Sequence, residues 1–327
     1  MKSHLKRRFI AGILMLSLAT ALLGCSKREF AKQIIDFQTG VDNTATATSV
    51  YYSELNSFER DLYLQERLYD PSQDVLTVTR DPNDPSKNIP TALAGKTFSA
   101  ESIKARIEAI QMLGLYGKRL AELAGSDAST RFAAGSQSVG NNLVKLGGTF
   151  STLTGDPTAK NYAAPLGALS KIFGEIGKAM LEAKRDAALT KAVQEAAPQV
   201  RTIIDLLEND LTTVIGPLRA TGSDQALREV IGNYNTNRTK WNLDQRQKAL
   251  DEIRRAQARY DIAITFNPSD IMESMRVAHE ALVKYATSRR TPQNLAELVS
   301  SLDIFRERAE VLATAVLELR NLRRGTQ

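Results

Sequence analysis

Apolar residues recur along most of the chain at the spacing of an α-helix, three and four positions apart. The helices predicted from this periodicity span about 30–69, 99–124, 126–152 and 158–197, and further apolar stripes run over 200–214, 227–241, 250–264, 271–285 and 295–319. The first is either continuous or interrupted within 42–53, where Thr and Ser are poor helix formers. We therefore predict an all-α fold, an elongated multi-helix bundle with long antiparallel helices.

Several helix boundaries have recognisable sequence signals. Pro198 is expected to kink or end the fourth helix, and Gly216-Pro217 is expected to stop the stripe that follows. Asn267 is predicted as the N-cap of one helix with Pro268 in its first position, and Thr291 with Pro292 begins the last helix in the same way. Apolar heptad positions in the last helix predict a coiled-coil-like seam: Leu295, Leu302, Ala309 and Val316 at one site, and Leu298, Phe305, Leu312 and Leu319 at the other.

One long stretch, about 70–97, carries no helical pattern and contains four prolines. Within it, Val75 to Thr79 can form one short strand, which has no partner sheet in the pattern. Asp74, Asp81 and Asp84 are calcium-binding candidates, but the spacing of an EF-hand is absent. We therefore interpret the segment as a Pro-rich irregular surface loop.

The N-terminus has the layout of an export signal. Four basic residues within positions 2–8 precede an uncharged, mostly apolar stretch from Phe9 to Ala21, which is shorter than the about 20 residues needed to span a bilayer. The stretch ends in Leu22-Leu23-Gly24-Cys25, which resembles the lipobox of bacterial lipoproteins; Leu23 is a less usual residue at its position. The resemblance covers only about the first 26 residues, and no family is recognised for the remainder.

The lipoprotein resemblance implies three regions. Residues 1–24 are the signal peptide, cleaved between Gly24 and Cys25; 25–29 are the lipidated anchor and a short tether; 30–327 are the helical bundle domain. It also implies a diacylglycerol on the Cys25 sulfur, usually with a third acyl chain on the new amino group. Because Ser rather than Asp stands at position 26, it favours the outer membrane. The protein is then expected to face the periplasm, with exposure at the cell surface left open.

Cleavage changes the charge of the chain. The full sequence has a formal charge of +6, but the leader removes four basic residues and leaves 39 basic against 37 acidic residues. Without a strong positive field, nucleic-acid binding loses its main argument from the sequence. The remaining basic pairs, among them Arg289-Arg290, are expected on solvated helix surfaces or ends.

The mature chain also lacks most side chains used for catalysis and metal binding. Cys25 is the single cysteine, and His279 is the single histidine after cleavage. Disulfides, cysteine nucleophiles and His-rich metal sites are thereby excluded, and no cofactor motif occurs. We predict no catalytic, cofactor-binding or metal residue, with His279 at a surface or boundary position. Trp241 is interpreted as a core residue, with a partly exposed anchor for a partner as the alternative.

Glycine clusters in the middle of the chain, where eleven of nineteen lie between Gly114 and Gly177. Gly140 and Gly147, like Gly167 and Gly174, are seven residues apart on helical stripes. The simpler interpretation is close packing of two helices joined at Thr154-Gly155-Asp156-Pro157. The alternative is a pliable membrane-active hairpin, about 126–181, that leaves the bundle and inserts.

Together these features favour a non-enzymatic role. The sequence predicts a membrane-anchored lipoprotein that has a structural or protein-binding role in the bacterial cell envelope, through a protein partner or self-association. One alternative is a membrane-perturbing effector that uses the Gly-rich hairpin. The other is a carboxylate-based hydrolase of envelope polymers, which requires two carboxylates in one cleft.

Overall fold

The computed structural model describes residues 3–124, 128–153, 156, 158–179 and 185–324. Side chains are described over 29–123, 135–153, 156, 158–175 and 187–322. The described helices are α1 (Ser3–Tyr69), α2 (Ala100–Ala124), α3 (Ala128–Thr152), α4 (Lys160–Ala179), α5 (Arg185–Asp210), α6 (Gly216–Asn237), α7 (Leu243–Thr265), α8 (Ser269–Thr287) and α9 (Pro292–Arg324). The all-α multi-helix bundle is confirmed.

α1 remains helical through its Thr- and Ser-rich middle. Its hydroxyl groups donate to carbonyl oxygens one turn earlier, as from Thr44 to Gly40 and from Ser49 to Ala45. The side chains thus satisfy their hydrogen-bonding needs within the helix instead of competing with it. Phe37, Val41 and Tyr52 lie on the buried face, and this burial outweighs the low helix propensity of the segment.

Neighbouring helices are mostly antiparallel, as predicted. α2 runs back along α1, α4 along α3 and α9 along α8, and each of these pairs makes extensive contacts. α1 and α9 are different because they run parallel: Phe305 lies at Gly40, and Arg320 lies near Glu54 further along both helices. The predicted heptad of α9 supplies this contact, with Leu298, Phe305 and Leu312 almost fully buried.

One predicted helix end is wrong. The predicted span 158–197 corresponds to α4, described as far as Ala179, and to α5, described from Arg185, and the residues between them lie outside the described part of the chain. Pro198 does not end a helix and lies inside α5, on its exposed side. Solvent can therefore hydrate the carbonyl group that the proline leaves without a donor.

Gly216-Pro217 also fails to stop the helical path. A five-residue π-helical turn, Leu211–Ile215, leads from α5 into α6, and Pro217 lies in the first turn of α6. A proline is tolerated there because the first amide groups of a helix have no partner within it.

The helix start near Asn267 lies one residue later than predicted, whereas the start near Thr291 agrees with its signal. α8 begins at Ser269 with Pro268 as its N-cap, so the assignment of Asn267 as N-cap is wrong. Oδ1 of Asn267 still accepts hydrogen bonds from the amide and hydroxyl groups of Ser269, just before the first turn. Oγ1 of Thr291 accepts from the amide of Asn294, and α9 begins at Pro292 as expected.

The Pro-rich loop is exposed but contains a small antiparallel hairpin. β1 (Val78–Arg80) pairs with β2 (Asn88–Pro90), so the expectation of a strand without a partner sheet is wrong. The turn between them is closed by the carboxylates of Asp81 and Asp84, which accept from amides two residues later. These aspartates therefore stabilise turns.

Candidate functional site

A buried charge cluster joins α2 to the segment before α4 and to the last residue of α5. The Arg106 guanidinium on α2 contacts Asp156, at 2.7 Å, and Asp210, at 2.6 Å. Ser102 and Thr158 also hydrogen-bond to this group, and the Phe98 ring centroid lies 4.0 Å from Arg106 Cζ. Arg106 is fully buried, so the two carboxylates compensate a charge that water does not reach.

The contacts within the cluster shift the pKa values of its members. Burial alone would raise the pKa of Asp156, but hydrogen bonds from Arg106 and Ser102 outweigh it and lower that pKa to about 2. Burial alone would lower the pKa of Arg106, yet the two carboxylates raise it. The Tyr162 hydroxyl donates to Asp210 at 2.7 Å, and burial raises the pKa of Tyr162 well above its ordinary value. Arg106 and Asp156 are therefore held in their ionised forms at neutral pH.

This cluster brings two carboxylates together, as the hydrolase hypothesis requires, but both are buried. Asp210 is 1% exposed, and Asp156 is 8% exposed. The carboxylate of Asp156 accepts hydrogen bonds from Arg106, Ser102 and Thr158. The geometry therefore fits a structural cross-link between helices.

Sequence reasoning missed this cluster, although a signal was present. Arg106 falls in register with Ile103, Ile110 and Leu113 on the inward stripe of α2, and Asp210 is in register with Ile203 and Leu207 on α5. Charged residues on apolar stripes of two helices indicate a buried ion pair.

His279 is buried and not at a surface or boundary position, so that prediction is wrong. Its Nε2 lies 2.9 Å from the Tyr116 hydroxyl, and the Phe37 ring centroid is 5.8 Å from its own. Burial lowers the pKa of His279 to about 4. The imidazole is thus neutral at pH 7 and forms part of the core. Trp241, predicted as core, is half-buried in the α6–α7 turn beside Tyr234.

The glycine-rich helices α3 and α4 do pack closely, but only one pair of glycines explains it. A Cβ on Gly140 or Gly147 would lie 3.4 or 3.3 Å from a carbonyl oxygen of α4. A Cβ on Gly167 or Gly174 would meet no atom within 4 Å, so packing does not account for that pair. The predicted junction at Thr154, Gly155 and Pro157 lies outside the described residues.

The surface carries two grooves along α9. One, of about 450 Å³, lies between α1 and α9 and is lined by Ala47, Val50, Ala313 and Leu317, with Arg320 at its edge. The other, of about 580 Å³, follows the first half of α9 past Val299 and Ile304. Both are mainly apolar, as expected of surfaces that contact another protein.

The predicted lipidation and cleavage residues lie on α1, whose backbone is helical through Gly24 and Cys25. Their side chains are outside the described residues. Phe30, five residues after Cys25, is the first fully packed side chain described: it is 2% exposed, and its ring centroid lies 5.1 Å from that of Tyr285.

Among the described residues, no group of three or more His, Cys, Asp or Glu side chains is arranged to hold a metal ion. Within the same part of the chain, no helix is both long enough and apolar enough to cross a membrane. Comparisons with protein-family models, with curated proteins and with solved structures find no match for this chain.

Proposed function

We propose that this protein is a bacterial lipoprotein, anchored in the outer membrane by acyl chains on Cys25, whose helical bundle has a structural or protein-binding role in the cell envelope. The observation that carries the proposal is the sequence Leu22-Leu23-Gly24-Cys25 after a basic and then an apolar segment. Two acyl chains suffice for stable anchoring, because each buried CH₂ contributes about 0.8 kcal/mol.

The proposed tether leads directly into the bundle. Phe30, just beyond the tether, is buried among the described side chains, and the buried face of α1 continues through Ile34, Phe37 and Val41.

Mass spectrometry of the protein from a bacterial host tests the anchor. We expect a mature chain that starts at Cys25 and carries acyl groups on its sulfur and amino group. In the matched variant Cys25→Ser, the leader stays uncleaved and acyl chains are absent. An intact leader or an unmodified thiol in the wild-type protein would contradict the proposal.

The membrane of residence is tested by one further substitution. Because Ser26 favours the outer membrane by resemblance to known sorting, Ser26→Asp should move the protein to inner-membrane fractions on a density gradient. Ser26→Thr is the control and should leave the distribution unchanged. Equal distribution of all three proteins would contradict the assignment to the outer membrane.

The protein-binding role rests on the two apolar grooves along α9. Photo-crosslinkers at Leu317 and Ile304, which are 58% and 51% exposed, should capture a partner in envelope extracts or a second copy of the chain. Leu243, exposed on α7 and outside both grooves, is the matched control position. Equal or absent crosslinking at all three positions would count against binding through these grooves.

A membrane-perturbing role is the second candidate, because close packing leaves Gly167 and Gly174 unexplained. If α4 must bend to insert, Gly174→Ala should reduce dye release from liposomes by the unlipidated protein. Gly232→Ala is the control, since Gly232 also faces open space but lies on α6. No dye release from the wild-type protein removes this candidate.

A further inference from the structure

The tether between the proposed acyl chains and the folded core is very short. Cys25 and Phe30 are five residues apart, which spans at most about 17 Å when extended and about 8 Å as a helix. Phe30 is fixed in the core against Tyr285. If Cys25 is acylated, the part of the bundle around Phe30 therefore lies at the membrane surface.

The structure identifies the surface next to Phe30 as the connection between α8 and α9. We name residues 288–291 the basic corner, since they comprise Ser288, Arg289, Arg290 and Thr291. The Arg290 Cζ atom lies 4.8 Å from the centroid of the Phe30 ring. The corner therefore adjoins the first packed residue of α1.

The basic corner has a defined conformation. The Asn294 side chain donates to the Arg289 carbonyl and to the Ser288 hydroxyl, both at 2.9 Å, and the Thr291 amide donates to the Arg289 carbonyl at 2.8 Å. Arg289 is exposed, and its guanidinium has no ion-pair partner within the described part of the chain. Nearby Lys284, in contrast, pairs with Glu297 at 2.6 Å.

The charge of this end suits lipid phosphates. The segments 25–30 and 288–291 together contain Lys27, Arg28, Arg289 and Arg290 against one acid, Glu29. Arginine binds phosphate through several directed hydrogen bonds, and basic residues close to an anionic bilayer are attracted within a Debye length of about 8 Å.

We infer that the basic corner is the membrane-contacting surface of the protein and that Arg289 and Arg290 bind phospholipid phosphates. The inference rests on the proposed lipidation of Cys25 and adds an orientation to it. α9 starts at the corner and rises from it, so the groove between α1 and α9 is presented away from the bilayer.

Site-directed fluorescence quenching tests this orientation in the mature, acylated protein. Because Cys25 would be acylated and is the single cysteine, an introduced cysteine is the one reactive thiol. Thr287→Cys places a bimane label at the end of α8, beside the corner. Thr314→Cys is the matched control and lies about 33 Å from the start of α9. Both threonines are exposed, and both donate to a carbonyl oxygen one turn earlier.

The labelled proteins are reconstituted into vesicles of phosphatidylethanolamine and phosphatidylglycerol that contain a lipid with a nitroxide on its head group. We expect quenching at position 287 to exceed that at 314 several-fold. Arg289→Glu should reduce the quenching at 287, whereas Arg246→Glu, the same charge change at an exposed site on α7, should not.

Mass spectrometry of the same samples separates the two proposals. Acylated Cys25 with equal quenching at 287 and 314, or with no effect of Arg289→Glu, overturns the orientation and leaves the lipoprotein proposal standing. An unmodified Cys25 overturns both.

Discussion

At the scale of single residues, the interior of the bundle is held by polar groups as well as by apolar packing. Arg106 joins α2 to the segment before α4 and to the end of α5, and His279 with Tyr116 forms a neutral hydrogen-bonded pair between α8 and α2. Such groups are costly to bury unless every partner is in place, so each specifies one arrangement of its helices.

Removal of the Arg106 charge should be among the most damaging single changes. Arg106→Met leaves Asp156 and Asp210 buried without a counter-ion, and we expect a loss of about 3–5 kcal/mol in the free energy of unfolding. Urea denaturation followed by circular dichroism measures it. Arg228→Met, which removes an exposed pair with Asp224, should leave the midpoint unchanged.

A second substitution shows whether the loss has an electrostatic origin. Addition of Asp210→Asn to Arg106→Met should restore part of the stability, because it removes one of the uncompensated charges. If Arg106→Met lowers the free energy of unfolding no more than Arg228→Met does, the structural role of the cluster is contradicted.

The stability of the protein should fall between pH 6.5 and pH 4 because of His279. Burial lowers the pKa of His279 from 6.5 to about 4, so in this window the unfolded chain binds a proton that the folded protein does not. The stability that depends on a neutral His279 is fully present above pH 6.5 and is lost as the pH falls towards 4. The size of the pKa change corresponds to about 3 kcal/mol in the free energy of unfolding.

Denaturation of wild-type and His279→Gln proteins across this range measures the contribution. The variant should lack the loss of stability that His279 causes at low pH. The difference in the free energy of unfolding between the two proteins should therefore change with pH. Burial raises the pKa of Glu208, so its protonation favours the folded state as the pH falls, which is opposite to the effect of His279. This effect is present in both proteins and cancels in their difference. A pH-independent difference would show that the imidazole is not held neutral.

At the scale of secondary-structure elements, periodicity predicted most helices but not all of their ends. A buried stripe such as that of α9 is a property of local sequence, and its predicted start at Thr291-Pro292 was therefore confirmed. Whether Pro198 ends a helix, in contrast, depends on its exposure, which the tertiary structure sets.

Dependence on tertiary structure also limited the prediction of the candidate site. Tertiary contacts decide which acids meet Arg106, since Asp156 and Asp210 are 50 and 104 residues away in sequence. The motif that resembles a lipobox, in contrast, is contiguous, so the proposal for Cys25 needed no knowledge of the fold.

The parallel contact between α1 and α9 should be sensitive to added volume. A Cβ on Gly40 would lie 2.6 Å from Cε1 of Phe305, so Gly40→Ala should cost about 1–3 kcal/mol through overpacking. Gly174→Ala, on an exposed part of α4, should instead stabilise by about 0.5–1 kcal/mol.

Thermal unfolding monitored by circular dichroism compares these two glycine variants. We expect shifts of opposite sign, because the same added methyl group meets a ring in one case and solvent in the other. Shifts of the same sign would contradict the close approach of α1 to α9.

At the scale of the whole molecule, the described bundle has one large core and one small one. The large core joins α1–α5 with α8 and α9. The small one consists of Leu227, Val230 and Ala256, with partly buried Tyr69, Ile253 and Tyr260 around them, and holds α6 to α7. α7 buries only Ala249 and Ala256, so its stability depends on few apolar contacts.

The α6–α7 hairpin should therefore open locally, without unfolding of the rest of the bundle. Native-state hydrogen exchange should show weaker protection for amides of α7 than for those of α8, which buries eleven residues. Ala256→Gly should lower the protection of α7 and that of α8 by a similar amount, because it destabilises the native state relative to both the locally open and the unfolded forms. Ala278→Gly, a matched buried alanine in the large core, should lower the protection of α8 alone, because the core around Ala278 stays folded when α7 opens. Equal protection of α7 and α8 in the wild-type protein would mean that the two cores unfold as one unit.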